Sequence, residues 1–213
     1  SGMYDKIADL SDNFKPFGCC IPVTKFPAYD LDNDDPWEYY NDGWAVNLLE
    51  RLGLPIYYSK NPGGAIFLEG DADKRYSDDE LKELFKHTVI LASDTAKRIA
   101  DRGFSHLTGV NVKTWEGENI SGEMVLVNNN KTPRQKSAQE LIPMNEQVEE
   151  LSHSFYTPDG GTTKKVLFPA STKYKNPLGG TSIVFCGTPV AEHHYLLDGF
   201  SFLNETRKLQ LTS

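Results

Sequence analysis

The chain has 213 residues and a formal net charge of −8, long enough for one large domain or two small ones with a real core. Its 22 basic residues are scattered among 30 acidic ones, which excludes a nucleic-acid surface built on clustered Lys and Arg. No apolar run approaches the roughly 20 residues that span a bilayer, and three cysteines are too few for a disulfide framework.

From the start, Ser1-Gly2-Met3 reads as an expression remnant, so the lack of a signal says little about the native compartment. Met3, Ile7, Leu10 and Phe14 are spaced for one helical stripe, so residues 1–17 are expected to be a lead-in helix or linker. Cys19-Cys20-Ile21-Pro22-Val23 reads as a short buried strand, and the acidic, aromatic stretch from Asp30 to Asp42 as a loop. Asp42 is placed to cap a helix that carries Trp44, Leu48, Leu49 and Leu52 on one face and stops at Gly53 before Pro55. Ile56-Tyr57-Tyr58 and Ala65-Ile66-Phe67-Leu68 follow as strands separated by the turn Asn61-Pro62-Gly63-Gly64. Ser77-Asp78-Asp79-Glu80 is a capping box that opens a helix burying Leu81, Leu84 and Phe85. Thr88-Val89-Ile90-Leu91 is an apolar, β-branched strand; Ser93 or Asp94 is expected to cap the next helix, which faces Ala96, Ile99 and Ala100 inward and ends at Gly103.

This strand and helix rhythm predicts an α/β fold with an open, mostly parallel sheet and helices on both faces. Continuous apolar strands are buried on both sides, as parallel sheets require. After Gly109 the sequence predicts a β-rich C-terminal part. Its strands are expected at Glu123–Val127, Lys165–Phe168 and Thr181–Phe185, the last entered through the turn Asn176-Pro177-Leu178-Gly179-Gly180. Phe200–Leu209 reads as a helix that stops without Gly or Pro. The expected organisation is therefore a lead-in at 1–17, one α/β domain at 18–198, and a C-terminal helix at 199–213 that leads toward a further domain.

Several residues invite a chemical reading. Ser93 follows a buried strand and precedes a helix, where a nucleophile elbow sits; an elbow needs small residues two positions either side, and here they are Leu91 and Thr95. Cys186 ends a strand close to His193 and His194, but a buried Cys on an apolar strand is that residue's commonest setting. Adjacent histidines on a strand point to opposite faces and cannot share one ion. Asp30, Asp32 and Asp34 alternate as in the start of a calcium loop, but the pattern's Gly and Glu are replaced by Asp35 and Asn41. A solvated acidic loop follows. Trp37, Tyr39, Tyr40 and Trp44 form an aromatic cluster beside carboxylates, suited either to stacking on sugar faces or to packing the loop onto the sheet. No cofactor site is expected.

Three stretches carry a family resemblance: Trp44-Ala45-Val46-Asn47-Leu48-Leu49-Glu50-Arg51-Leu52-Gly53-Leu54-Pro55-Ile56, Tyr76-Ser77-Asp78-Asp79-Glu80-Leu81, and Ala100-Asp101-Arg102-Gly103-Phe104-Ser105-His106-Leu107-Thr108-Gly109-Val110. Together they resemble the class I glutamine amidotransferase-like domains inside bacterial glycoside hydrolases, such as the trimerisation domain of family 42 β-galactosidases. Val148–Ser152 and Asn176–Phe185 resemble the later strands of those domains, so the likeness runs over residues 18–190. It implies a flavodoxin- or amidotransferase-like sheet. True amidotransferases carry Gly-x-Cys-x-Gly at the elbow and a downstream His-x-Glu; here the elbow reads Leu91-Ala92-Ser93-Asp94-Thr95 and His-x-Glu does not occur. The resemblance implies a non-catalytic role in assembly, with other domains of the same polypeptide, a second copy of the chain, or carbohydrate as partners. Two alternatives stand beside it: a self-sufficient hydrolase using Ser93, Asp94 or Cys186, and a carbohydrate-binding module using Trp37, Tyr39, Tyr40 and Trp44.

Overall fold

The computed structural model describes residues 18–22, 43–59, 63–158, 161–189 and 201–212. The lead-in helix expected at 1–17 and the loop at 30–42 lie outside the described residues. The N-terminal half runs β1 (Cys19–Pro22), α1 (Trp44–Leu52), β2 (Ile56–Ser59), β3 (Ala65–Leu68), a 3-10 turn (Ala72–Arg75), α2 (Asp78–Leu84), β4 (Thr88–Ala92), α3 (Ser93–Asp101) and α4 (Ser105–Thr108). The C-terminal half adds β5 (Val110–Lys113), β6 (Gly122–Val125), β7 (Asn130–Thr132), β8 (Glu140–Pro143), β9 (Glu149–Tyr156), β10 (Lys165–Lys175), β11 (Thr181–Phe185) and α5 (Ser201–Thr212).

Nine of these strands form one open sheet in the order β2-β1-β3-β4-β11-β10-β9-β6-β7, and β5 pairs with β8 separately. The first five strands of that order pair in parallel. From β11 onward every pairing is antiparallel. The expected α/β sheet and β-rich C-terminal part are both present, joined through β11 into a single sheet. The chain steps out from β1 to β2 and returns to β3, so the order reverses between β1 and β3.

Side chains alternate across a strand, and each central strand feeds two cores. Ile66, Leu68, Val89, Leu91 and Val184 meet Leu81 and Leu84 of α2, Ala96 and Ile99 of α3, and Leu107 of α4 on one face. On the other face Phe67, Ile90, Ile183 and Phe185 meet Ala45, Leu48, Leu49 and Leu52 of α1. Each buried Leu, Ile or Phe contributes about 1.5–3 kcal/mol of transfer free energy, so this double-sided burial holds the parallel half between helices. Local signals set the helix ends. The Ser77 hydroxyl accepts from the Glu80 amide at 3.3 Å, and the Glu80 carboxylate accepts from the Ser77 amide at 2.8 Å. Gly53 ends α1 at φ 66°, a left-handed pose that favours glycine.

The C-terminal half departs from its sequence reading in detail. β6 stops at Val125, and Leu126–Asn129 turns toward β7. β10 runs for 11 residues through Pro169, and three register shifts along its pairing with β9 keep it continuous. The final helix, α5, packs against the sheet through a polar face. Arg207 and Glu123, both almost fully buried, pair at 2.8 Å. The Gln210 amide donates to Glu123 at 3.0 Å and to Ser171 Oγ, while Ser152 Oγ donates to Glu123 at 2.6 Å.

Candidate functional site

In open α/β sheets ligands gather beyond the carboxyl ends of the parallel strands, near the point where strand order reverses. Here that edge comprises the residues after β3, β4 and β11, with the N-termini of α1 and α3 above them.

Glu69 follows β3, and its Oε2 accepts from the Ala45 backbone N–H at 2.7 Å. A carboxylate in that position satisfies an orphan amide and complements the positive end of the helix. Asp42, the expected cap, lies outside the described residues; Gly43 occupies the cap position without a side-chain bond. Trp44 is half-buried, with its ring 5.9 Å from Phe67 and 6.2 Å from Phe185, so it packs on the sheet beneath α1. Trp37, Tyr39 and Tyr40, and the alternating Asp30, Asp32 and Asp34, lie outside the described residues.

Ser93 is the first residue of α3, 1% exposed, and among the described residues its hydroxyl has no hydrogen-bond partner. It does not cap the helix, and neither does Asp94: the cap position belongs to Ala92, in extended backbone, and no side chain bonds the first amides. The helix simply begins one residue earlier than the capping pattern assumed, because the strand's last residue already supplies the extended pose a cap needs. The left-handed, non-glycine positions among the described residues are Asn129 and Ser137, so Ser93 is not strained.

A loop from Gln135 to Gln139 closes the edge between β4 and β11. Gln135, almost fully buried, donates to the Ala170 carbonyl and accepts from the Gly187 amide, both at 3.0 Å. Lys136 and Thr188 exchange two backbone bonds of 2.9 Å, and the Gln139 amide donates to the Cys186 carbonyl at 2.7 Å. The Gln139 side chain donates to the Asp94 carboxylate. Gly187 allows this approach: a Cβ there would stand 2.2 Å from the Lys136 carbonyl oxygen.

Cys186 is fully buried at the end of β11, its sulfur 4.0 Å from Ser154 Oγ. Burial, reinforced by the charge of Glu123, pushes its thiol far above the ordinary range, so it stays protonated and a poor nucleophile. His193 and His194 lie outside the described residues. Cys20 is buried and Cys19 half-buried, and burial raises both thiols. Among the described residues no group of three or more His, Cys, Asp and Glu is placed to hold a metal ion. No described helix is long and apolar enough to cross a membrane.

Apart from the Ser93 hydroxyl, the polar groups named at this edge bond within the chain. Glu69, Gln135 and Gln139, which do so, carry no local sequence signal. Their partners lie 24, 35 or 52, and 45 residues away respectively, and only the fold brings them together. Apart from this edge, a groove of about 280 Å³ is lined by Leu126, Val127, Glu149, Glu150, Leu151 and Gln210.

No protein-family model matches the chain, and no curated protein matches it. Among solved structures it is similar to an exo-beta-1,4-mannosidase from Opitutaceae bacterium strain TAV5, at 10% identity and a TM-score of 0.45. The match covers 87% of this chain and 34% of the mannosidase, so the chain spans about a third of that enzyme's length.

Proposed function

We propose that this chain is a non-catalytic accessory domain, a scaffold or oligomerisation element, of a multidomain bacterial glycoside hydrolase of the β-galactosidase kind. One observation carries the non-catalytic half of the reading: the carboxyl edge between β4 and β11 is closed by the chain's own loop, with Ser93 buried beneath an ordinary helix start. An acyl-transfer nucleophile needs a base within hydrogen-bond reach and an open approach for substrate. Among the described residues the Ser93 hydroxyl has no hydrogen-bonding neighbour, and the Cys186 thiol is held protonated. The resemblance of residues 18–190 to amidotransferase-like domains supplies the parent class. A rigid sheet covered by helices, with its ligand-binding edge filled internally, suits a part that positions neighbours.

The test is turnover. The chain is assayed against nitrophenyl glycosides and nitrophenyl esters beside its Ser93→Ala variant. The expected result is the same background rate for both; turnover that disappears in Ser93→Ala would overturn the reading.

A further inference from the structure

Many of the described basic side chains lie in ion pairs. Lys74, Lys82, Lys86, Lys97, Arg98, Arg102, Lys165, Lys173, Arg207 and Lys208 each lie within ion-pair distance of a carboxylate. Arg75, Lys113, Lys131, Arg134, Lys136, Lys164 and Lys175 have no carboxylate within that distance among the described residues, and of these Lys164 lies against Lys131, whose ammonium disfavours its charge.

The register explains how they meet. Met124 on β6 pairs with Lys131 on β7 and with His153 on β9. Directly paired residues share a face, so Lys131, Met124 and His153 form one row, with Lys131 and His153 separated by two strand spacings, about 10 Å. This face is opposite the one covered by α5, to which Glu123 and Ser152 point. Phe155, two residues beyond His153, shares the row's face. Its ring leans over Gly122, which has no side chain to obstruct it. The Lys164 ammonium sits 5.2 Å above that ring, a cation–π position that aims it across β6 toward Lys131. Behind His153, Glu150 places Oε1 3.7 Å from Nδ1. The bulge at Leu151–Ser152 brings residues 150 and 153 to one side. Glu118 is paired with Lys165 and does not neutralise the pair of lysines.

We propose that this face is a binding site for a small oxyanion, a carboxylate or phosphate group, held between Lys131 and Lys164 with His153 as a third donor. Two ammonium groups facing each other on a protein of net charge −8 repel in the free protein, and an anion between them converts that repulsion into two charge-assisted hydrogen bonds. His153 completes the site as a proton-sensitive member. Burial and the nearby Lys164 charge hold its imidazole below the ordinary range, so it is neutral in the free protein near neutral pH. An anion seated beside it favours the protonated ring and raises it. This site stands on the antiparallel half of the sheet, independent of the closed edge at Ser93.

The experiment is an NMR titration of the His153 imidazole in the full chain at low ionic strength, where exposed charges are least screened. The probes are inorganic phosphate, glucuronate as a carboxylate, and galactose as a neutral control. The expected result is a saturable upward shift of the His153 titration with phosphate or glucuronate and none with galactose; the tighter of the two anions identifies the group the site takes. The double variant Lys131→Gln, Lys164→Gln, its fold checked by its amide spectrum, should weaken binding by roughly a hundredfold, about tenfold per ammonium lost. A His153 titration unmoved by both anions, or binding unchanged in the double variant, would overturn the proposal.

Discussion

Arg207→Met removes the guanidinium that ties α5 to the sheet while keeping a long, flexible side chain in its place. The wild-type pair is 2.8 Å apart, with side-chain exposures of 0% for Arg207 and 1% for Glu123. Taking away one partner leaves a carboxylate in the interior, held only by neutral donors such as Ser152, Gln210 and Thr132. Breaking a buried pair in this way costs about 3–5 kcal/mol, and in urea, with a slope of about 2 kcal/mol per molar, the midpoint should fall by roughly 2 M. The double variant Glu123→Gln, Arg207→Met removes the orphaned charge along with its partner and should recover much of that loss, since neutral replacements of buried pairs are tolerated. Equilibrium urea unfolding followed by circular dichroism measures all three proteins. A loss below about 1 kcal/mol for Arg207→Met, the value typical of exposed pairs, would refute the claim that α5 is seated through a buried charge.

The other expectations follow from the same contacts. Burial alone would raise the Glu123 carboxyl, but Arg207 and the donors Ser152 and Gln210 outweigh it and hold the group below its ordinary range. Its stabilisation is therefore present above the unfolded carboxylate value of about 4.3 and is lost as pH falls through the lower folded value. The stability gap between wild type and Glu123→Gln should narrow from about pH 6 to about pH 3, and a gap that widens there contradicts the sign. Iodoacetamide at about pH 8 should leave Cys186 unmodified in the native protein and label it only in denaturant; native labelling read by peptide mass spectrometry would contradict its burial. Gly187→Ala sets a Cβ 2.2 Å from the Lys136 carbonyl oxygen. It should cost about 1–3 kcal/mol and speed amide exchange at Lys136 and Gln139, whereas unchanged exchange would mean that the loop does not lie against Gly187.

The parallel half was legible because its signals are local. The Ser77–Glu80 box, the Gly53 stop and the apolar runs at 65–68, 88–92 and 181–185 each announce themselves within a few residues. The sequence marks only Lys165–Phe168 of β10, because Pro169 and the lysines at 173 and 175 interrupt strand patterning, while bulges that absorb the mismatch exist only in the paired sheet. α5 was found as a helix, but its inward face was invisible: Thr206, Arg207 and Gln210 are buried while Leu209 is exposed, the reverse of an apolar stripe. Ser93 as a cap failed for a related reason. The pattern locates a strand-to-helix junction, but which residue bonds the free amides depends on where the strand's backbone stops being extended.

The same limit applies to the candidate site. Aromatic and acidic residues clustered in sequence drew attention to positions 30–44, yet the groups that fill the carboxyl edge are Glu69, Gln135 and Gln139, each meeting partners contributed by distant segments. An internally filled edge has no compositional signature, since its residues are ordinary and only their convergence matters.

The sealing of Ser93 is open to direct chemical interrogation. Exposure of the folded chain to a fluorophosphonate probe, followed by peptide mass spectrometry, reports whether that hydroxyl is reachable and activated. The closed edge predicts no phosphonyl adduct on the peptide containing Ser93 in the wild-type protein. A stoichiometric adduct at Ser93 in the wild-type protein would contradict it and mark the junction after β4 as a working nucleophile.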